Sequence, residues 1–342
     1  MKKSKPLRNI VILLLITIVA YTFIGKITGF SDVGLVFKHM NKGFLALALL
    51  ATALTYTVTG LKWGNLLNAQ GYKFKFRDLV KFGMVGSFAI HFLPIGNFGE
   101  SALNFYLLKQ HKVKTSSALT LFVIRLIFDY FAFFSLFTIS LAFIPTHPSL
   151  SLKIQIAFLI MLAALIFGFL YLNYILRKPK KFIKQLIPVL RYLKKTFHFI
   201  QNFETSNDPK YYYAQLAEEI RLNALKNLKF SFAIKLYFYC LLFWFTDILV
   251  LYFALIGFGV KLNIFAIIFA YVIGITAGII SFLPAGIGVV EGSLIFVLNA
   301  FSTNLPAIGL GVLTYRLISL WLAIPLGLVA FYRLKGTKKL FK

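Results

Sequence analysis

Two copies of a short motif interrupt the long apolar runs of this chain. The first copy reads FLPIG at 92–96, and the second reads FLPAG at 282–286. A glutamate follows each copy and an arginine lies 25 residues after each glutamate, giving the pairs Glu100 with Arg125 and Glu291 with Arg316. All four charges fall in apolar stretches, where an unpaired ion is costly and usually marks a functional path. Pro/Gly breaks at matching places in two halves predict paired broken helices.

Composition indicates a membrane protein. Hydrophobic residues make up 59% of the 342 residues and charged residues 14%, and the mean hydropathy is +0.82. Soluble domains carry about 25% charged residues, so lipid is the expected solvent for most of this chain. The apolar segment 9–25 lacks a small-residue cleavage site and is predicted to be a retained first span.

The net charge of +27 raises the question of nucleic-acid binding, but the distribution of the charge favours membrane topology. Most lysine and arginine residues fall in five segments, which are 2–8, 73–81, 109–114, 177–229 and 333–342. The predicted loops between these segments carry almost no charge. Basic residues concentrate on cytoplasmic loops, so we expect both termini in the cytoplasm of a plasma (inner) membrane protein. The same residues predict attraction to anionic inner-leaflet lipids, and no nucleic-acid partner is expected.

The apolar segments predict an all-α polytopic membrane protein. Six of them are long enough to span a bilayer, at 9–25, 43–67, 115–145, 150–176, 230–258 and 306–332. The segments 79–93 and 97–108 would rise only roughly 18–22 Å each, too little for a ~30 Å core. A re-entrant hairpin at about 79–108 fits better, with a second at about 262–301. Ten ordinary spans are the alternative, because 262–282 is long enough to cross.

Charge around the two hairpins predicts that they enter from opposite faces. Basic segments flank the first hairpin, whereas Lys261 and Asn304 flank the second. The halves 1–148 and 149–342 would then form two inverted-topology repeats, each with three spans and one re-entrant hairpin broken at FLPxG. Irregular backbone at that depth must be covered by protein or water. The residues assigned to the two breaks are Pro94, Gly96, Gly99, Pro284, Gly286 and Gly288.

The connector 177–229 is the one long polar segment. Its residues 180–187 alternate basic and apolar positions, and we expect Pro188 to break that helix. A basic amphipathic helix is typical of a segment lying on the inner membrane surface. A solvated connector between duplicated halves explains the segment equally well.

The intramembrane charges are the candidate binding residues. Arg125 and Arg316 would grip a phosphate with their guanidinium groups, while Glu100 and Glu291, at the start of outgoing half-helices, would balance them. Asp129 follows Arg125 by one turn, and Asp247 lies mid-span; each would orient an arginine or carry a coupling proton. The alternative is that these charges are structural ion pairs that hold the halves in register.

Other conspicuous side chains have simpler interpretations. Lys62 lies near a predicted span end and is expected to snorkel to head groups. Trp63, Trp244 and Trp321 fit interface anchoring and packing. The single cysteine, Cys240, and five scattered histidines offer no metal-ligand spacing. We therefore expect no metal site, no cofactor and no catalytic set, and a homo-oligomer is compatible with the sequence.

The paired motifs resemble a known family over residues 40–330. The second half reads LPAGIGVVEG at 283–292, followed by Tyr315-Arg316 and Trp321. It resembles the transmembrane region of lysylphosphatidylglycerol synthases, part of a larger flippase-like family. In the first half, Pro94 with Gly99-Glu100 resembles the family's P…GG[DE] pattern, and Arg125 with Asp129 resembles its R…D pattern. Phe98 stands where a second glycine is usual, and Ile124 where an acidic residue often precedes the arginine.

The resemblance implies translocation of a membrane lipid between leaflets. The substrate would be an anionic phospholipid or a polyprenyl-phosphate-linked head group, held in a midplane cavity. The synthases also carry a cytoplasmic aminoacyl-transfer domain, and we expect this chain to be a free-standing, non-enzymatic member without it. One alternative is an enzyme acting on a lipid (pyro)phosphate, for which Ser101, Ser281 and Ser293 are the hydroxyls near the breaks. A secondary transporter of a small anion is another.

Overall fold

The computed structural model describes residues 40–92, 97–143, 174–196, 209–227, 230–281, 283–302 and 304–336, with scattered positions between 156 and 171. Within these ranges the regular structure is helical, and no β-strand occurs. The predicted first span at 9–25, the break residues Pro94 and Gly96, and about half of the predicted span 150–176 lie outside the described residues.

Eleven helices are described. They are α1 (Lys42–Ala69), α2 (Phe76–Phe92), α3 (Asn97–Gln110), α4 (Thr115–Phe143), α5 (Pro179–Thr196), α6 (Pro209–Asn227), α7 (Phe230–Gly257), α8 (Ile264–Ile280), α9 (Val289–Asn299), α10 (Leu305–Arg316) and α11 (Ala323–Lys335). A 3₁₀ turn, Pro284–Gly286, precedes α9, and a π-helical turn, Leu317–Trp321, joins α10 to α11.

Among the described residues, four stretches are long and apolar enough to cross a membrane. They are α1, α4, α7 and the continuous stretch Leu305–Lys335. Each coincides with a predicted span, so those four predictions and the all-α class are confirmed. Helices α8 and α9 are apolar but shorter, with 17 and 11 residues. Helix α8 rises about 26 Å at 1.5 Å per residue, which is at the lower end of the range for a membrane span.

Corresponding helices in the two halves have similar lengths. α1 and α7 each contain 28 residues, and α2 and α8 each contain 17. Helix α4 has 29 residues, and its counterpart Leu305–Lys335 has 31. Among the described helices, each half therefore carries the order long helix, packed helix pair, long helix.

The helix pairs interlock the two halves. α1 packs along α7, α2 of the first pair packs against α11, and α8 of the second pair packs against α4. The contact between α2 and α11 requires glycine at Gly327, because an added Cβ would lie 2.1 Å from Phe88 Cβ. At Gly83 an added Cβ would lie 1.8 Å from the Tyr56 carbonyl oxygen, so α1 and α2 are also in backbone contact. Such small-residue contacts are typical of membrane helices.

The connector forms two packed helices, α5 and α6. The apolar face of α5, which includes Phe182, Leu186 and Leu190, is buried and packs against α6, which in turn packs on α4. The prediction that Pro188 breaks this helix is wrong, because α5 continues through it. A proline removes one backbone hydrogen bond. The freed carbonyl, on Lys184, belongs to an exposed residue and can turn to water, while the buried face holds the helix together.

Candidate functional site

The first charged cluster joins three helices. Arg125 on α4 forms ion pairs with Glu100, in the first turn of α3, and with Asp129, one turn further along α4. The Arg125 Nη2–Asp129 Oδ2 distance is 2.8 Å. Lys62 on α1 completes the cluster, with Nζ 2.9 Å from Asp129 Oδ1. All four side chains have 0% exposure, so two cations and two carboxylates balance each other out of contact with water.

The expectation that Lys62 snorkels to head groups is wrong. Its ammonium is fully buried, lies 4.2 Å from the centre of the Phe243 ring and donates to both oxygens of Asp129. Snorkelling lets a lysine keep its charge in water when no buried partner is in reach. Here the Asp129 carboxylate is in reach, so the side chain turns inward.

Two tryptophans support this cluster rather than anchoring the protein at an interface. Trp63 Nε1 donates to Glu100 Oε1 at 2.8 Å, and the Arg125 guanidinium lies 5.5 Å from the Trp63 ring centre. Trp244 Nε1 donates to the Asp129 backbone carbonyl at 3.0 Å. Both rings are buried. The adjacency of Lys62 and Trp63 inside an apolar run was the signal in the sequence that these residues face the interior.

The second charged pair sits at the second break. Arg316, at the end of α10, lies with Nε 2.7 Å from Glu291 Oε1, and its Nη2 donates to the Ala285 carbonyl at 2.5 Å. The other oxygen of Glu291 accepts the Gly288 backbone N–H at 2.7 Å. Glu291 therefore caps its own helix, α9, while it holds the arginine. Arg316 and Glu291 have 1% and 0% exposure.

The backbone of the second break is left-handed at three positions. Ala285, Gly286 and Gly288 have φ of 58°, 60° and 83°. Ala285 is a non-glycine residue in this region, and its carbonyl is the oxygen held by Arg316. A Cβ on Gly286 would lie 3.0 Å from Gly278 Cα, so the turn returns the chain directly onto α8. In the first pair, Gly99 lies in the first turn of α3, after the interruption.

Asp247 has a different environment from the other carboxylates. Its Oδ2 accepts hydrogen bonds from the hydroxyls of Tyr271 on α8, at 2.5 Å, and Tyr315 on α10, at 2.9 Å. Of the two aspartates expected to orient an arginine, Asp129 contacts one and Asp247 contacts tyrosines in the described structure. Tyr271 and Tyr315 were not identified from the sequence, although Tyr315 immediately precedes Arg316.

Helix α2 lies beside parts of both charged groups. It packs against the Pro284–Gly286 turn, which precedes Glu291, and against the Leu317–Trp321 turn, which follows Arg316. On the same helix, a Cβ at Gly86 would lie 2.8 Å from Glu100 Oε1 of the first cluster. The described residues contain no group of three histidine, cysteine or acidic side chains arranged to hold a metal ion.

Comparison with known proteins places this arrangement in a family. Residues 10–327 match the lysylphosphatidylglycerol synthase TM region. The chain belongs to this family. It is thus an α-helical integral membrane protein, as its composition predicted.

Relatives in this family match over most of their length. A UPF0104 membrane protein of Methanocaldococcus jannaschii is 23% identical over 340 residues, covering 97% of this chain and 95% of the relative. One from Methanothermobacter thermautotrophicus is 24% identical over 289 residues, covering 83% and 81%. A second M. jannaschii UPF0104 membrane protein is 29% identical over 237 residues, covering 66% and 86%.

The two positions at which this family member departs from the usual pattern are both accommodated. Phe98, where a second glycine is usual, lies within α3, so the backbone there is helical. Ile124, where an acidic residue often precedes the arginine, is buried in the apolar core. With an isoleucine at 124, the carboxylates that hold Arg125 come from Glu100 and Asp129.

Proposed function

We propose that this protein is a non-enzymatic, flippase-like translocator of an anionic phospholipid or polyprenyl-phosphate-linked head group. The observation that carries the proposal is the pair of buried Glu–Arg contacts, Glu100–Arg125 and Glu291–Arg316. Each ties the outgoing helix of a helix pair to the long helix that follows it. Buried charges inside apolar helices are rare and usually mark a substrate path.

Charge balance suggests how a phosphate would enter. If α3 moves and withdraws Glu100, then Lys62 and Arg125 face Asp129 alone, and one positive charge is left uncompensated. A lipid phosphate can replace the glutamate, because a guanidinium binds carboxylate and phosphate with the same donor geometry. The same exchange at Arg316 would follow withdrawal of Glu291. In this mechanism the glutamates close the path in the absence of lipid, and the head group competes with them.

A lateral groove supplies a place for the hydrocarbon chain. It has a volume of about 400 Å³ and lies between α4, α7 and the segment around 164–168. Its lining is almost wholly apolar and includes Phe131, Phe134 and Tyr237. Tyr130, which follows Asp129 directly, is also part of the wall. A lipid could therefore keep its chain in this groove while its head group approaches the first cluster.

We further propose that the two halves, 1–148 and 149–342, are inverted-topology repeats with re-entrant hairpins and cytoplasmic termini. The matched helix lengths and the reciprocal packing of α2 on α11 and α8 on α4 support this arrangement. In inverted repeats the binding site lies at the interface of the repeats near the midplane. Contact of α2 with both turns of the second half is consistent with such a site.

One hydroxyl near the second break has a structural role that favours transport over phosphate chemistry. Ser281 donates from Oγ to the Gly278 carbonyl at 2.7 Å and accepts the Leu283 backbone N–H at 3.2 Å. The Ser281 hydroxyl thereby caps the end of α8 as both a donor and an acceptor, and its proton is already engaged with a backbone carbonyl.

The test compares neutral pair variants in proteoliposomes containing a fluorescent phosphatidylglycerol, with dithionite bleaching as the measure of translocation. Removing one charge alone would leave an unpaired buried ion and confuse folding with function. We therefore use the double variants Glu100→Gln/Arg125→Gln and Glu291→Gln/Arg316→Gln. Both are expected to lose most translocation. Glu218→Gln/Arg221→Gln is the matched control, since that ion pair lies on the connector, and it should retain wild-type activity. Full translocation by both neutral double variants would refute the proposal.

A further inference from the structure

Asp247 is the buried carboxylate whose described partners are hydroxyl groups rather than cations. Glu100, Asp129 and Glu291 each contact an arginine or a lysine. Asp247, in the middle of α7, accepts only the Tyr271 and Tyr315 hydroxyls among the described contacts. A buried charge without a neighbouring cation is costly.

A third tyrosine lies on α1, close to the contact between that helix and α7. Tyr56, on α1, is 5% exposed, and its hydroxyl has no hydrogen-bond partner among the described residues. Its neighbour Thr55 donates to the hydroxyl of Thr246, the residue before Asp247, at 3.0 Å. A buried hydroxyl without a partner is unusual, because it loses its hydrogen bonds to water with nothing in return. The Tyr56 hydroxyl therefore keeps its donor and its acceptor available among the described residues.

The geometry at the carboxylate leaves room for a proton. Both tyrosines donate to Oδ2, and no described residue donates to Oδ1. A proton on Oδ1 would therefore displace neither tyrosine. Asp247 is also 6% exposed, whereas Glu100, Asp129 and Glu291 are 0% exposed.

The charged and titratable groups around Asp247 link it to the second Glu–Arg pair. They are Tyr56 on α1, Tyr271 on α8, and Tyr315 with the adjacent Arg316 on α10. On the α4 side, the Asp129 backbone carbonyl of the first cluster accepts from Trp244, one turn before Asp247. Tyr271 stands on the ingoing helix of the second helix pair, and Arg316 holds its outgoing helix through Glu291.

We propose that Asp247 is a proton-binding site that couples proton movement to opening of the second helix pair. The proton comes from water on one side of the membrane, forms an O–H bond at Oδ1 and is released to water on the other. Hydrogen bonds to an ionised acceptor are roughly twice as strong as neutral ones. Protonation therefore weakens both tyrosine contacts and loosens α8 and α10, next to the Glu291–Arg316 pair. This inference rests on the proposed translocation.

The experiment measures dithionite-accessible fluorescent phosphatidylglycerol in proteoliposomes with and without an imposed pH gradient, in sodium-free choline buffer. The wild-type rate should change with the gradient. The translocation rate that the Asp247→Asn variant retains should be the same with and without the pH gradient. Asp78→Asn is the matched control, because Asp78 pairs with Lys81 at the start of α2, away from the cluster. The control should keep the wild-type response.

Three results would overturn the proton site alone and leave the proposed translocation standing. A gradient response retained by Asp247→Asn refutes the proton site, as does wild-type translocation that ignores the gradient or requires added sodium. In all these cases translocation itself stands. Absence of translocation by the wild-type protein removes both proposals.

If Asp247→Asn does not fold, Tyr315→Phe serves in its place, because it keeps the ring and removes one donor. It should shift the pH of half-maximal rate, and an unchanged value counts against the site.

Discussion

Arg316 Nε lies 2.7 Å from Glu291 Oε1, although the two residues are 25 positions apart and belong to different helices. The first half repeats this relationship with Glu100 and Arg125, at the same separation in sequence. Both contacts are buried, so each helix pair is fixed to the following long helix by an ion pair that water does not screen. The two contacts thus share their separation in sequence and their burial.

Replacing one partner of a buried ion pair should destabilise the protein more than replacing both partners. Arg125→Gln leaves two buried carboxylates facing Lys62 alone, and loss of one partner from a buried pair typically costs about 3–5 kcal/mol. Glu100→Gln/Arg125→Gln leaves the remaining Lys62–Asp129 pair balanced and should cost clearly less. Thermal unfolding in detergent measures both effects. An equal or larger loss of Tm in the double variant would mean that packing, not charge balance, sets the cost.

Filling the lateral groove should slow translocation without unfolding the protein. Gly168 lines the groove, and an added Cβ there would meet no atom within 4 Å. Gly168→Phe is expected to reduce the rate about tenfold, because a misfit in a hydrophobic pocket is worth ~1–3 kcal/mol. The readout is the same dithionite assay, together with Tm to confirm folding.

The control for the groove is a similar substitution at a neighbouring exposed position. Leu170 is 60% exposed and is not part of the groove wall. Leu170→Phe should therefore leave the rate unchanged. If the two variants behave alike, the groove does not hold the lipid chain.

Cysteine labelling from the two sides of the membrane tests the inverted repeat. Cys240 is buried, and Cys240→Ala provides a background without cysteine. Lys112 and Asn304 are exposed residues that flank the first and second helix pairs. Lys112→Cys should label only from the cytoplasmic side and Asn304→Cys only from the opposite side. Labelling of both positions from one side would rule out opposed hairpins and leave the charged pairs as structural ties.

Much of the architecture was readable from local features of the sequence. Hydrophobicity located α1, α4, α7 and the stretch Leu305–Lys335, because a membrane span needs a long apolar run and little else. The Pro/Gly motif located the second break, where Gly286 and Gly288 adopt positive φ. Regular spacing also identified Glu100, Arg125, Glu291 and Arg316 as one repeated set. These properties depend on residues close together in the chain or on a repeated separation.

The sequence by itself thus determined the class of the protein, the positions of its long helices and the duplicated charges. Tertiary structure decided which charges pair and which side chains form hydrogen bonds with the charged groups. Lys62 turned inward because Asp129, 67 positions away, lies 2.9 Å from its ammonium. Asp247 accepts hydrogen bonds from Tyr271 and Tyr315 rather than from an arginine, because α7, α8 and α10 meet at this carboxylate. The physical reason is that a buried polar group must be satisfied by whichever partner the packing of distant helices brings within hydrogen-bonding distance.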